Sequence, residues 1–340
     1  MTDHDISRSR VFDILQGQGD SRPVCSSPLS TVTDDQMRIT GAYFPEVHGD
    51  GILMSKLAEA AYTVMGLEGF RVPYDLCIEA EAFGCELKPG NSESPPSVIR
   101  PAENVFFPED CGEIFKRGRF PVIFKALSEL RSKYANRLPI YGGVVGPITL
   151  AGHLFGPNQI LRLMIKDPER VSSIFSDVCT FSSRYANRML EAGANVVFII
   201  DPTASGDMIS PKHFERFLLP AYRLLRKNIT APIILHICGD TSMHLKSIVD
   251  SGFEGFSFDG AKVTAAQAAE VLRDRMTICG DIPVDLMLHG QPREIRAAAF
   301  KAMDHGVHIV MTSCGIPIHS PMANVTAMVE AVKAYNEGKN

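Results

Sequence analysis

Eight short runs rich in β-branched and apolar residues recur along the chain, at 23–26, 69–74, 139–145, 195–201, 232–238, 255–259, 276–280 and 307–314, with stretches between them long enough for helices. Strands that follow one another across a helix run parallel and are joined by right-handed crossovers. Eight parallel strands is also the number at which a sheet closes with an interior just filled by side chains. The fold expected is a (β/α)8 TIM barrel, with a doubly wound open sheet as the alternative. Helical patterning covers 50–65, 157–181 with a break at Pro168, 211–227, 243–251, 265–273 and 292–305. Gly193, Gly252 and Gly306 stand just before the next strand, where a glycine ends a helix in a left-handed cap. Ser320 and Pro321 are read as N-cap and first residue of a last helix.

At 340 residues and 45% apolar content, the chain can fill one such barrel, and 1–340 is read as a single barrel domain. Two regions exceed the minimal plan. Residues 1–20 are read as a helical extension, with an amphipathic helix over 5–16. Residues 77–128 form a long insertion after the second strand, with a Pro- and Ser-rich surface loop or hairpin at 91–96, and are read as a cover over the barrel mouth.

Barrels of this kind build their active sites at the C-terminal ends of the strands. The strand ends here carry Asp201, His236 with Cys238, Asp259, Asp281 and Cys314. His236 and Cys238 are two residues apart, so on a strand they project from one face and can reach one metal ion. A third thiolate is needed at another strand end. Cys279 and Cys314 both offer one; Cys314 is preferred and Cys279 is read as a core thiol. One imidazole and two thiolates suit a zinc ion that keeps a position open, since structural zinc usually closes with a fourth Cys or His. Asp259 ends the sixth strand, between the fifth and the eighth. Its carboxylate either fills the fourth position or braces a ligand or a helix end. Asp201 and Asp281 are read as structural.

A net charge of −5 and no long basic run give no footprint for nucleic acid. No apolar stretch approaches the ~20 residues that cross a bilayer, and 1–10 is polar, so a cytoplasmic protein with no membrane partner is expected. Eight scattered cysteines argue for reduced thiols rather than a disulfide framework.

With these residues in place, the chain resembles the methylcobamide:coenzyme M methyltransferases, a branch of the uroporphyrinogen decarboxylase superfamily. The resemblance spans nearly the whole length. It rests on GAYFPEVH at 41–48, RVPYD at 71–75, EAEAFGCE at 79–86, DPTASGD at 201–207, the His236/Cys238 pair, and CGIP at 314–317. It implies a zinc methyltransferase of methanogenic one-carbon metabolism, with the metal on His236, Cys238 and Cys314. The methyl donor would be a methylcobamide (a cobalamin-type corrinoid) and the acceptor the thiol of coenzyme M, held as a zinc thiolate that attacks methyl-cobalt(III). Relatives carry an acidic residue, commonly Glu, where this chain has the shorter Asp259. The order Gly280-Asp281-Ile282-Pro283 departs from the Gly-Asn-x-Asp-Pro pattern of the family. No Asp-x-His-x-x-Gly corrinoid-binding motif is found, so a separate methylated corrinoid protein is expected to dock over the mouth.

The same chemistry with homocysteine, another thiol or a reduced folate is the first alternative. Uroporphyrinogen decarboxylation is a second, disfavoured because Cys25-Ser26-Ser27-Pro28 stands where the decarboxylases carry Arg-Gln-Ala-Gly-Arg. A corrinoid-protein adaptor with structural zinc lacks the fourth Cys or His it would need.

Overall fold

The computed structural model describes residues 9–18, 22–135 and 137–338. Its strands are β1 (Val24–Cys25), β2 (Phe70–Val72), β3 (Glu86–Lys88), β4 (Ser97–Arg100), β5 (Ile140–Val145), β6 (Val196–Ile200), β7 (Ile233–Ile237), β8 (Gly255–Phe258), β9 (Thr277–Ile282) and β10 (Ile309–Thr312). Eight of them form one parallel sheet in the order β1-β10-β9-β8-β7-β6-β5-β2, the order of a TIM barrel. β1 and β2 share no ladder. Glu68 bridges them instead: its N–H donates to the Cys25 carbonyl at 2.8 Å, and its own carbonyl accepts from the Ser26 hydroxyl.

All eight sequence-predicted strands are present, and their alternation sorts two cores. Tyr141, Val196, Phe198, Ile234, Cys279, Ile309 and Met311 face inward into one cluster. Ile233, Leu235 and Ile237 on the other side of β7 pack with the surrounding helices. The N-terminal helix is described over Val11–Leu15; residues 5–8 of the expected helix lie outside the described residues. Its Val11, Phe12, Ile14 and Leu15 join the inward cluster, and the Thr277 hydroxyl donates to the Ile14 carbonyl at 3.1 Å. The helix therefore stops the N-terminal end of the barrel, opposite the end where the strand-terminal polar residues gather.

The expected break at Pro168 is real. Helix Pro157–Lys166 stops, Asp167 caps the next helix by accepting from Arg170 N–H at 3.2 Å, and Pro168 opens it. That second helix runs to Ala192, well beyond 181, because its buried stripe continues through Tyr185, Ala186 and Met189. Gly193, Gly252 and Gly306 all take positive φ, as a glycine stop requires. Several helices fall in no predicted helical segment, the longest being Phe120–Tyr134 and Pro147–Phe155, and the first of these begins inside the range read as an insertion. The loop at 91–96 joins the antiparallel pair β3 and β4. One expectation fails: Ser320 does not cap the last helix. That helix is Met322–Glu337, preceded by Pro321, and the buried Ser320 hydroxyl has no partner. Among the described residues no helix is long and apolar enough to cross a membrane.

Candidate metal centre

β7 places His236 inward, fully buried, and opposite Ser257 of β8 in the ladder. The Ser257 hydroxyl lies 3.0 Å from Nδ1, and Phe198 of the next strand stacks on the imidazole with centroids 6.2 Å apart. These contacts aim Nε2 at Cys238, whose Sγ is 3.1 Å away. Cys238 stands one residue past the strand, where Gly239 turns the chain at φ +77°. Only glycine fits that turn, since a Cβ there would lie 2.6 Å from the Asp207 carboxylate and 2.7 Å from the Ser205 hydroxyl. Those two side chains come from the loop after β6 and are themselves paired at 3.0 Å.

Cys314 arrives from the loop after β10. Ser313 N–H donates to the Ile282 carbonyl at 2.8 Å and Ile316 N–H to the Ser30 carbonyl at 2.8 Å, tying the loop to its neighbours on both sides. The ligand atoms of His236, Cys238 and Cys314 all lie within 4.8 Å of one another, and no other such group of His, Cys, Asp or Glu occurs among the described residues. Zinc–sulfur and zinc–nitrogen bonds in a tetrahedral site imply ligand–ligand separations of about 3.5–3.8 Å. The donor set and its spacing fit that ion with one position left open. The neighbouring Cys238 sulfur and then His236 hold the Cys314 thiol below the ordinary thiol range, while Cys314 and burial push Cys238 up. Both thiols must give up their protons to hold an ion together.

Asp259 follows directly on β8 but is not within this group. Its carboxylate accepts from Gly239 N–H at 3.3 Å and from Ala261 N–H at 3.0 Å, so it braces the turn behind Cys238. Asp201 is fully buried, accepts from Thr149 N–H and Tyr222 O–H at 2.9 Å each, and burial pushes its carboxyl up to about 6. Asp281 accepts from Ala265 N–H at 3.1 Å, at the start of a helix, and burial raises its pKa. Cys279 is a fully buried thiol of the inward cluster, paired with Ser257 in the ladder between β8 and β9.

Residues that sequence reasoning gave no role fill the opposite wall. Asp75 pairs with Arg119 at 2.6 and 3.1 Å; burial would raise its carboxyl, but His48 and Arg119 outweigh this and hold it at about 2. Glu79 accepts from Val145 N–H at 2.9 Å, and burial pushes it up to about 7. Arg71 projects into the barrel from β2, 6% exposed, with no hydrogen bond to its Nε. Its signal in the sequence is a charged residue inside the apolar run 69–74. Ser257 gives none, because a serine in a strand is ordinary.

A family model, uroporphyrinogen decarboxylase (URO-D), matches residues 7–335. The sequence is 36% identical over 332 residues to the methylated-thiol–coenzyme M methyltransferase of Methanosarcina mazei, covering 96% of this chain and 89% of that protein. It is 35% identical over 334 residues to the methylcobamide:CoM methyltransferase MtbA of Methanosarcina acetivorans, covering 96% and 98%. A solved structure described as a methyltransferase from Methanosarcina mazei superimposes with a TM-score of 0.91 at 32% identity, covering 97% of this chain and 98% of that one.

Proposed function

The chain belongs to the uroporphyrinogen decarboxylase family, in its methylcobamide:coenzyme M methyltransferase branch, and from that premise we propose that it moves a methyl group from a methylated corrinoid to the thiol of coenzyme M at a zinc centre. It is a methyltransferase enzyme. The observation that carries the finer reading is the convergence of one imidazole and two sulfurs at the barrel mouth.

On this reading His236, Cys238 and Cys314 hold the ion. When bound, zinc supplies the Lewis acidity that takes the proton's place on an incoming thiol, so the acceptor is a thiolate at neutral pH without a dedicated base. Ser257 keeps the proton of His236 on Nδ1, which leaves Nε2 free to ligate. Asp259 and Gly239 fix the turn that presents Cys238. The transfer is a displacement at carbon: the sulfur–carbon bond forms as the carbon–cobalt bond breaks, and the electron pair leaves with cobalt. The donor is a methylcobamide carried by a separate corrinoid protein that reaches the mouth from above, in the cytoplasm. Residues 77–128 are proposed as a cover pinned to the mouth by Glu79 on the Val145 amide. Asp259 is proposed to act through the turn rather than on the substrate.

The test is purified protein with zinc, methylcobalamin and a panel of thiols including coenzyme M and homocysteine, following loss of the methyl–cobalt absorbance. Zinc in the purified protein and methylation of coenzyme M are expected. No reaction with any thiol, or full activity in Cys314→Ala, would overturn the reading. A preference for homocysteine over coenzyme M would keep the mechanism and replace the acceptor.

A further inference from the structure

Residues two apart on a strand share a face, and the metal cluster follows that rule on β7 and breaks it on β10. His236 and Cys238 continue from Ile234, which faces the interior, so the strand itself puts them on the inward side. Cys314 starts from the opposite side. Ile309 and Met311 of β10 belong to the inward cluster, whereas Val310 packs with the surrounding helices. Thr312 stands with Val310: it is fully buried, and its ladder partner Ile282 also packs with the helices. Continued as a strand, the chain would point Cys314 outward too, away from His236. Its sulfur nevertheless lies in one group with His236 and Cys238.

The chain changes face over a bend at 313–315. Backbone bonds fix the two ends of this bend, with Ser313 N–H on the Ile282 carbonyl and Ile316 N–H on the Ser30 carbonyl, each at 2.8 Å. Neither sets the direction in which residue 314 faces. The Thr312 hydroxyl does reach that residue, donating to the Cys314 carbonyl at 2.5 Å. The carbonyl is thereby held on the side of Thr312, and the sulfur turns to the interior. Valine has nearly the same shape and suits a buried strand end equally well, but it would leave that carbonyl without its donor. From this geometry we infer that Thr312 is a positioning residue, whose hydroxyl turns Cys314 off the face its strand dictates and onto the face of His236 and Cys238. This rests on the zinc reading above and adds the residue that completes the donor set. On that reading Ser257 orients the imidazole from a neighbouring strand, and Thr312 orients a thiolate from within its own.

Two measurements test the role, one with metal and one without. The first is zinc affinity, by competition with a chromophoric chelator at neutral pH, in wild type, Thr312→Val and Thr312→Ser. The second is capture of phenylarsine oxide, a trivalent arsenical that bonds two neighbouring thiols at once, by the same proteins free of metal. Cys314→Ala, in which the pair is gone, gives the baseline for capture. Thr312→Val should lose about tenfold or more in zinc affinity, the usual effect of removing a group that orients a ligand, and should fall toward that baseline. Thr312→Ser keeps the hydroxyl and should stay near wild type in both. Zinc affinity of Thr312→Val within about twofold of wild type overturns the inference, even if its stability in urea falls, because a merely structural role would move stability alone. An equal loss in Thr312→Ser overturns it too, since packing would then be the cause. Should Thr312→Val fail to fold, Thr312→Ser and Thr312→Ala form a second pair that differs by the hydroxyl, and equal zinc affinity in these two overturns the inference. A wild type that captures the arsenical through this hydroxyl yet binds no zinc would keep the positioning role and sink the zinc reading. One that holds neither overturns both.

Discussion

Replacing Ser257 by alanine removes the group that meets His236 Nδ1, and its effect can be sized before it is measured. Both residues are fully buried, the contact is 3.0 Å, and the imidazole is stacked against Phe198, so neither water nor a ring flip can substitute for the lost hydroxyl. Leaving a buried donor unsatisfied costs about 1–3 kcal/mol. Loss of the partner of a metal-bound histidine typically lowers metal affinity by about 10–100-fold. At roughly 1.4 kcal/mol per decade, that range corresponds to about 1.4–2.8 kcal/mol, so the two routes agree. Zinc affinity measured by competition with a chromophoric chelator at neutral pH should fall by that factor in Ser257→Ala. Ser257→Thr keeps the hydroxyl and should retain most of the affinity. An alanine variant within about twofold of wild type would refute the idea that Nδ1 orientation matters, because the typical loss would then be absent.

Cys314→Ala and His236→Ala should each lose bound zinc, read by metal analysis, and with it methyl transfer to any thiol. Gly239→Ala forces an alanine into φ +77° and against Asp207 and Ser205, so its unfolding free energy in urea should drop by at least the ~1–2 kcal/mol of the left-handed conformation. Asp201 gives a pH signature. Its carboxyl titrates near 6 in the native protein against an ordinary value of 3.8, so as pH falls the native state takes up this proton first. The group therefore adds about 2–3 kcal/mol of stability at pH values below its ordinary one, and that gain is lost as pH rises through 6. Urea titrations of wild type and Asp201→Asn across this window should show a stability difference that changes with pH; a flat difference would refute the assignment.

The parts of the fold legible in the sequence are those where one periodicity acts alone. The eight strands are short apolar runs bounded by glycine, proline or a polar residue, and each bound falls within a few residues of the observed strand. Helix Pro147–Phe155 escapes because Pro147, Ile148, Thr149, Leu150, Ala151, Gly152 and Leu154 are all buried, which leaves no polar face to mark a period of 3.6. It reads as more of the apolar run at 139–145. The sulfur and imidazole positions were visible because their residue types are rare at strand ends. Ser257 was not, since its role depends on the neighbour that the register sets opposite it. The Ser320 cap failed for a related reason: capping needs a backbone angle as well as a residue type, and here the helix begins one residue later.

That register also explains how one strand serves another at this site. His236 and Ser257 are partners on adjacent strands, and two residues further on stand Cys238 and Asp259. At the first rung the contact is side chain to side chain, hydroxyl to Nδ1. At the second the carboxylate of Asp259 reaches the amide of Gly239, next to Cys238, and its other oxygen takes the amide of Ala261. With both oxygens held by backbone, the aspartate has its orientation fixed behind the turn. On the function proposed above, an aspartate that serves as a brace leaves three protein donors, and a zinc held by three donors keeps the open position that an acceptor thiol needs.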